Sequence, residues 1–217
     1  VFNICKKAED LDWYLDLESI AHHFEHMERS NPFTDMVFVE IEGEPVAYGR
    51  VGWFPESKGD HIYYGLCWVL PVWRKKGVGT ALLKHNERRI RQIAAKHPPE
   101  VKKFYQNDFS DKQPAVEQLL LENGYQPIRW GYEMKRDIDA PLPDAPGPAG
   151  LEVRKPGVED EFRAIFEAEN EAFRDHWGHV EPTEESYQRW LTQLNFNPDL
   201  WKVAWDGDRV AGMVLNF

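Results

Sequence analysis

The chain has 217 residues, 42% of them hydrophobic and 29% charged, enough apolar surface for one large core or two smaller ones, which excludes a stapled mini-protein and a disordered chain. Its net charge of −11 argues against general nucleic-acid binding, because neutralising phosphates takes a basic face. Two cysteines, Cys5 and Cys67, make no disulfide framework and suit a reducing, cytoplasmic setting, while the longest apolar stretch, around Gly65–Trp73, falls far short of the roughly 20 residues that a membrane span requires.

Taken in chain order, the pattern predicts helix over much of Val1–Met27, ending before the Ser30-Asn31-Pro32 turn. Met36–Ile41 and Pro45–Phe54 alternate apolar and polar residues around Glu42-Gly43 and predict a β-hairpin. Ile62–Leu70 is a β-prone run closed by Pro71. Gly79–Lys96 predicts a helix with Val78, Leu82, Ile90, Ile93 and Ala94 along its buried stripe. Lys102–Asn107 then predicts a short strand, Pro114–Asn123 a helix ended by Gly124, and Gln126–Lys135 a last strand. Ile138–Gly150 holds four prolines in thirteen positions and is expected to be an extended linker. Beyond it come a strand at Leu151–Arg154, helices between Val158 and Gln193 interrupted near Gly178–Pro182, and a hairpin over Trp201–Phe217.

The two sides of that linker repeat one another. A constant offset of 164 places Phe2 on Phe166, Trp13 on Trp177, Val39 on Val203, Gly43 on Gly207, Val46 on Val210, Ala47 on Ala211 and Val51 on Leu215. The expected organisation is therefore a tandem repeat: a first domain over 1–137, a linker over 138–150, and the N-terminal half of a second copy over 151–217. On this offset about 14 residues equivalent to the start of the second copy precede Val1, and about 84 equivalent to the end of the first follow Phe217.

Chemistry concentrates where charge does. Between Arg74 and Lys103 ten Lys/Arg stand against two acids, a local +8, while the rest of the chain sums to −19. This stretch begins with Val69-Leu70-Pro71-Val72-Trp73-Arg74-Lys75-Lys76-Gly77-Val78-Gly79-Thr80, which runs from a strand through a glycine turn into the basic helix. A helix N-terminus offers unpaired amides and positive dipole to a phosphate, and Gly77 and Gly79 let the turn approach it closely. Leu82 stands where a Rossmann glycine would be, and no Gly-Lys-Ser/Thr follows, so neither dinucleotide nor Walker motifs fit.

Val-x-Pro, then Arg-x-x-Gly-x-Gly, then a helix resembles motif A of the GNAT superfamily of acyl-CoA-dependent N-acetyltransferases. Leu119-Leu120-Leu121-Glu122-Asn123-Gly124-Tyr125 is similar to that family's later L-Y-x-x-x-G-F segment. The tandem arrangement, with Asn170-Glu171-Ala172-Phe173-Arg174-Asp175-His176 in the second copy, resembles two-domain acetyltransferases of the mycothiol synthase type. The resemblance implies an α/β fold with a mixed central sheet flanked by helices. It implies acetyl-CoA as acyl donor, a small-molecule amine as acceptor, and direct attack on the thioester without a metal. Strand groups at Trp68 and Val69 are expected to meet the pantetheine arm, and the amides of Arg74, Lys75, Lys76, Gly77, Val78, Gly79 and Thr80 the pyrophosphate. The family's tyrosine acid is replaced here by Leu120, so the first copy lacks that proton donor, and a catalytically degenerate acyl-CoA-binding or regulatory module is the alternative. For a base only His61, at the start of the central strand, stands as a candidate. His22-His23-Phe24-Glu25-His26 also matches the H-x-x-E-H zinc pattern, but no third ligand follows it.

Overall fold

The structure is a computed structural model that describes the chain except residues 12–14, 26, 57, 145 and 217. Trp13 and His26, used in the offset and the zinc pattern, and Phe217 therefore lie outside the described residues. The chain divides into two compact units, Val1–Pro127 and Ile128–Phe217.

The first unit begins with helices α1 (Phe2–Ala8) and α2 (Leu17–Glu25), then strands β1 (Met36–Ile41), β2 (Glu44–Pro55) and β3 (His61–Val69). A short 3-10 turn over Pro71–Trp73 leads into α3 (Val78–Ala94), and β4 (Lys103–Gln106) and α4 (Pro114–Glu122) follow. The sheet runs β1-β2-β3-β4, antiparallel except for the β3–β4 pair, which is parallel across the α3 crossover. Both the α/β class and the mixed sheet flanked by helices are as the resemblance implies. β2 has long buried stretches because it lies centrally, and Val46, Ala47 and Leu82 form one core cluster while Val51, Tyr63 and Ile90 form a second. α3 buries Leu82, Leu83 and Ile90 against that sheet face together with one polar residue, Asn86.

The second unit contains β5 (Glu152–Arg154), α5 (Asp160–Ala172), α6 (Glu184–Leu191), β6 (Lys202–Asp206) and β7 (Arg209–Val214), with the sheet ordered β5-β6-β7. Trp201, Val203, Ile165 and Trp190 are among the side chains of its core. Each unit enters its hairpin through an Asn-Pro turn in which the Asn side chain accepts a backbone N–H two residues on, Asn31 from Phe33 at 2.9 Å and Asn197 from Asp199 at 3.3 Å. Each hairpin carries a register break, between Val39 and Glu40 in one and between Ala204 and Trp205 in the other, 165 positions apart. The glycines do not match in the way that an offset of 164 requires. Gly43 is the second residue of its turn, after Glu42, and both are left-handed at φ 83° and 55°; Gly207 is the first residue of its own. Aligning glycine on glycine shifts the hairpins by one position, because the two turns carry their glycine at different positions.

One predicted element does not form. Gln126–Lys135 is not a strand in any sheet, and its alternating Ile128, Trp130, Tyr132 and Met134 are all exposed. Alternation defines a face, but a strand exists only where a neighbouring backbone accepts its hydrogen bonds.

At the start of α5, Arg154 grips Glu161 with two donors at 2.7 and 3.0 Å, and the Gly157 N–H adds a third at 2.6 Å. Arg154 first of all, and then the Gly157 and Val158 amides, hold the Glu161 carboxyl well below its ordinary 4.5, at about 2. A carboxyl depressed in the folded state contributes stability above its unfolded range and loses it as the pH falls. The second unit is therefore expected to weaken between pH 4.5 and about 2. Glu161→Gln should flatten that part of the curve, as read from denaturant midpoints taken in acid and near neutrality.

Candidate active site

The site grows from the point where β3 and β4 part. They pair only from His61↔Lys103 to Tyr64↔Gln106, and β3 then continues to Val69 with β2 alone beside it. Along β3 the backbone groups alternate in direction. The His61 N–H donates to Lys102 on the β4 side and the Leu70 N–H to Val46 on the β2 side, which fixes the alternation. Cys67 and Val69 thus direct their N–H groups into the opening, while Trp68 turns its own toward Tyr48. Of the two expected strand contacts, the Val69 N–H faces the opening and the Trp68 N–H does not, while the Trp68 side chain lines the cleft and the Cys67 N–H also faces the opening.

A cleft occupies the opening, lined by Gly65, Leu66, Cys67, Trp68 and Asn107, with Leu119 and Leu120 of α4 across from them. The Trp68 Nε1 and Asn107 Nδ2 atoms are buried without a hydrogen-bond partner among the described residues, two donors ready for an amide-bearing ligand. Asn86 ties α3 to the same place, donating to the Leu66 carbonyl at 3.3 Å with the Cys67 sulfur also at 3.3 Å. A helix stripe drawn from apolar residues alone passes over Asn86, and only its three-and-four spacing from Leu82, Leu83 and Ile90 marks it as inward. Gly65 leaves room for the Tyr105 hydroxyl, which takes the place of its Cβ.

At the far end of β3 the chain turns into α3 as predicted. Lys75 at φ 57° and Gly77 at φ 83° are both left-handed, and this alternation turns backbone amides into a concave anion-binding surface. Gly77 caps α3 with no side-chain bond, so the Val78, Gly79 and Thr80 amides of the first turn are left for a ligand, and Ala81 makes the first helical bond back to Gly77 at 2.9 Å. Lys75 and Lys76 are exposed beside them, Lys76 with its ammonium 4.5 Å from the Trp73 ring centre.

Arg74 is different. Its guanidinium meets the Glu9 carboxylate at 2.9 Å and the Val69 carbonyl at 3.0 Å, and the Cys5 thiol reaches that same carbonyl at 3.2 Å. The side chain is thereby committed to pinning α1 on the end of β3, leaving its backbone as its share of the turn. Arg74→Ala should lower stability by about 1–3 kcal/mol by orphaning Glu9 and the carbonyl, a loss that a urea titration reads directly.

His61 is not brought to this region. Eight residues separate it from Val69, about 26 Å along an extended strand, and its Nδ1 lies 3.3 Å from that of His97 beside the Trp53 ring. Burial pushes the Cys67 thiol up to about 12, which favours the thiol over the nucleophilic thiolate. Leu120, where the family's tyrosine would stand, is 7% exposed and lines the cleft with no hydroxyl to offer. Among the described residues no group of three or more His, Cys, Asp or Glu is placed to hold a metal, and no helix is long and apolar enough to cross a membrane.

A parallel strand pair that splays beside a glycine-turned helix N-terminus is the architecture of an acyl-CoA-type acetyltransferase domain. Residues 4–110 match the Acetyltransferase (GNAT) family, and the first unit is a domain of that family. A mycothiol acetyltransferase of Geodermatophilus obscurus is 29% identical over 180 residues, covering 82% of this chain and 54% of its own length. Another from Salinispora arenicola is 28% identical over 110 residues, half of this chain and 32% of that protein. The chain thus spans about half, or less, of these curated relatives. Among solved structures, a GCN5-related N-acetyltransferase from Sphaerobacter thermophilus shares the fold, with a TM-score of 0.67 and 24% identity over 98% of this chain and 65% of that one.

Proposed function

We propose that the first unit binds acetyl-CoA and that the protein transfers the acetyl group to the amine of a small molecule by direct attack on the thioester. The observation that carries this reading is the opening of β3 from β4 directly upstream of the uncapped amides of Val78–Thr80. Those amides and the neighbouring lysines suit a pyrophosphate, and the Trp68 and Asn107 donors suit the amides of a pantetheine arm. The amine nitrogen bonds to the thioester carbon, an N–H from Cys67 or Val69 stabilises the oxyanion, and the carbon–sulfur bond then breaks. The amine gives up a proton and the thiolate takes one.

That last proton is where the first unit falls short, because Leu120 cannot supply it. A general acid contributes about 10²–10⁴-fold, so this unit binds donor better than it turns it over. Leu120 also favours the second reading, a unit that binds acyl-CoA without catalysing transfer. The matching Asn-Pro turns and hairpin register breaks support two copies of one domain, the first over 1–137, the linker over 138–150 and half of the second over 151–217. Two free cysteines suit a reducing compartment such as the cytoplasm.

Thiol release from acetyl-CoA, followed with a panel of small amines, tests the transfer. Amine-dependent release supports the enzyme, whereas tight binding with no release from any amine supports the binding-only reading.

A further inference from the structure

On the sheet face opposite α3, β2 presents a charge that the described residues do not neutralise. Arg50 is only 7% exposed, yet no carboxylate among the described residues pairs with it. Its Nη1 donates to His23 Nε2 at 2.5 Å and lies 3.7 Å from the Met27 sulfur, while its Nε is buried with no partner. His23 is no substitute anion. Burial first, and then the Arg50 charge, hold it below its ordinary value, and a ring nitrogen that accepts from Arg50 belongs to the neutral form. A buried guanidinium without a counter-charge is costly to keep, and structures tolerate one where an anion arrives to complete it.

The surroundings say what kind of anion. With Nη1 taken by His23, the edge of the guanidinium left without a partner is the one that carries Nε, whose two parallel donors match the two oxygens of one carboxylate. The position is also adjacent to the cleft: Arg50 pairs across the ladder with Leu66, which lines the cleft, and strand neighbours lie about 4.8 Å apart. A carboxylate on Arg50 would leave an amine a few bonds away within reach of the opening at Cys67.

We infer that Arg50 is the carboxylate anchor of the acceptor site, so that the amine acetylated at the first unit's cleft is one that also carries a carboxylate. This rests on the acetyl-transfer reading above, and the test separates the two. In the whole chain, the Arg50 Nε–H resonance, assigned by its loss in Arg50→Lys, is followed during titration with sodium acetate, sodium phosphate and sodium chloride at matched ionic strength. A saturable shift with acetate, absent with chloride and weaker with phosphate, is the expected result. No shift with acetate beyond the chloride control means that Arg50 holds water alone, and an equal shift with phosphate means a site for anions in general. Either result overturns the assignment.

The second arm compares phenylalanine with phenethylamine as acceptors in thiol release. Arg50→Lys keeps the charge and loses the paired donors, so KM for phenylalanine should rise about tenfold or more while kcat, and both constants for phenethylamine, stay as in the parent. Equal losses with both amines would show Arg50 to be structural and overturn the proposal. If neither of these nor any other amine of the panel is acetylated, the transfer reading fails, and the acetate titration alone decides whether Arg50 is a carboxylate site.

Discussion

Gly77→Val is expected to weaken acetyl-CoA binding about tenfold or more while leaving the fold intact. Gly77 sits at φ 83° and a Cβ there would touch nothing within 4 Å, so steric crowding by neighbouring groups is not the cause. The cause is conformational: a β-branched residue in the left-handed region costs about 1–2 kcal/mol or more, and the turn relieves that by rotating away. Rotation at Gly77 breaks the alternation with Lys75 at φ 57° and tilts the Val78, Gly79 and Thr80 amides off a common target. Gly77→Asn should keep much of the affinity, because asparagine tolerates the left-handed region. Calorimetric titration of the three proteins at one salt concentration measures this, with circular dichroism to check the fold. Parent-like binding by Gly77→Val would mean that the phosphates do not sit on this turn.

The largest loss of stability is expected from Trp201→Ala. Trp201 is 0% exposed, with Phe162, Trp190 and Phe196 packed around its ring at centroid distances of 4.9–6.1 Å. Its indole N–H donates to the Asn216 carbonyl at 3.0 Å, so truncation leaves both a cavity and an orphaned acceptor. Together these cost about 3–5 kcal/mol, a large share of what a unit this small has. Hydrogen exchange should show the β6 amides, Lys202–Asp206, losing protection while those of β2 keep theirs. Retained β6 protection would show that the core repacks around the void.

The elements nearest the site were legible because each carries local chemistry. Pro71 stops β3, Gly77 and Gly79 mark the turn, and the apolar stripe of α3 shows its face. The side-chain assignments were less legible, because they depend on partners distant in the chain. Arg74 sits in the motif, but Glu9, brought back by α1, claims its side chain. His61 belongs to the right strand and the wrong end of it, and alternation alone does not say that Trp68 turns its backbone to β2 while Cys67 faces the opening. Arg50 carries no local signal inside an alternating strand, since nothing nearby in the sequence shows that no carboxylate among the described residues meets it. Gly43 and Gly207 show the same limit: identical residues at one offset occupy different turn positions.

The central claim is that the opened edge of β3 and the first turn of α3 form one acetyl-CoA site. Backbone amide spectra of the whole chain, recorded as acetyl-CoA is added, test it most directly. Saturable shifts are expected at Cys67, Val69, Val78, Gly79 and Thr80 together, with His61 and His97 unmoved. Saturable binding that shifts residues elsewhere and leaves those five amides in place would contradict it.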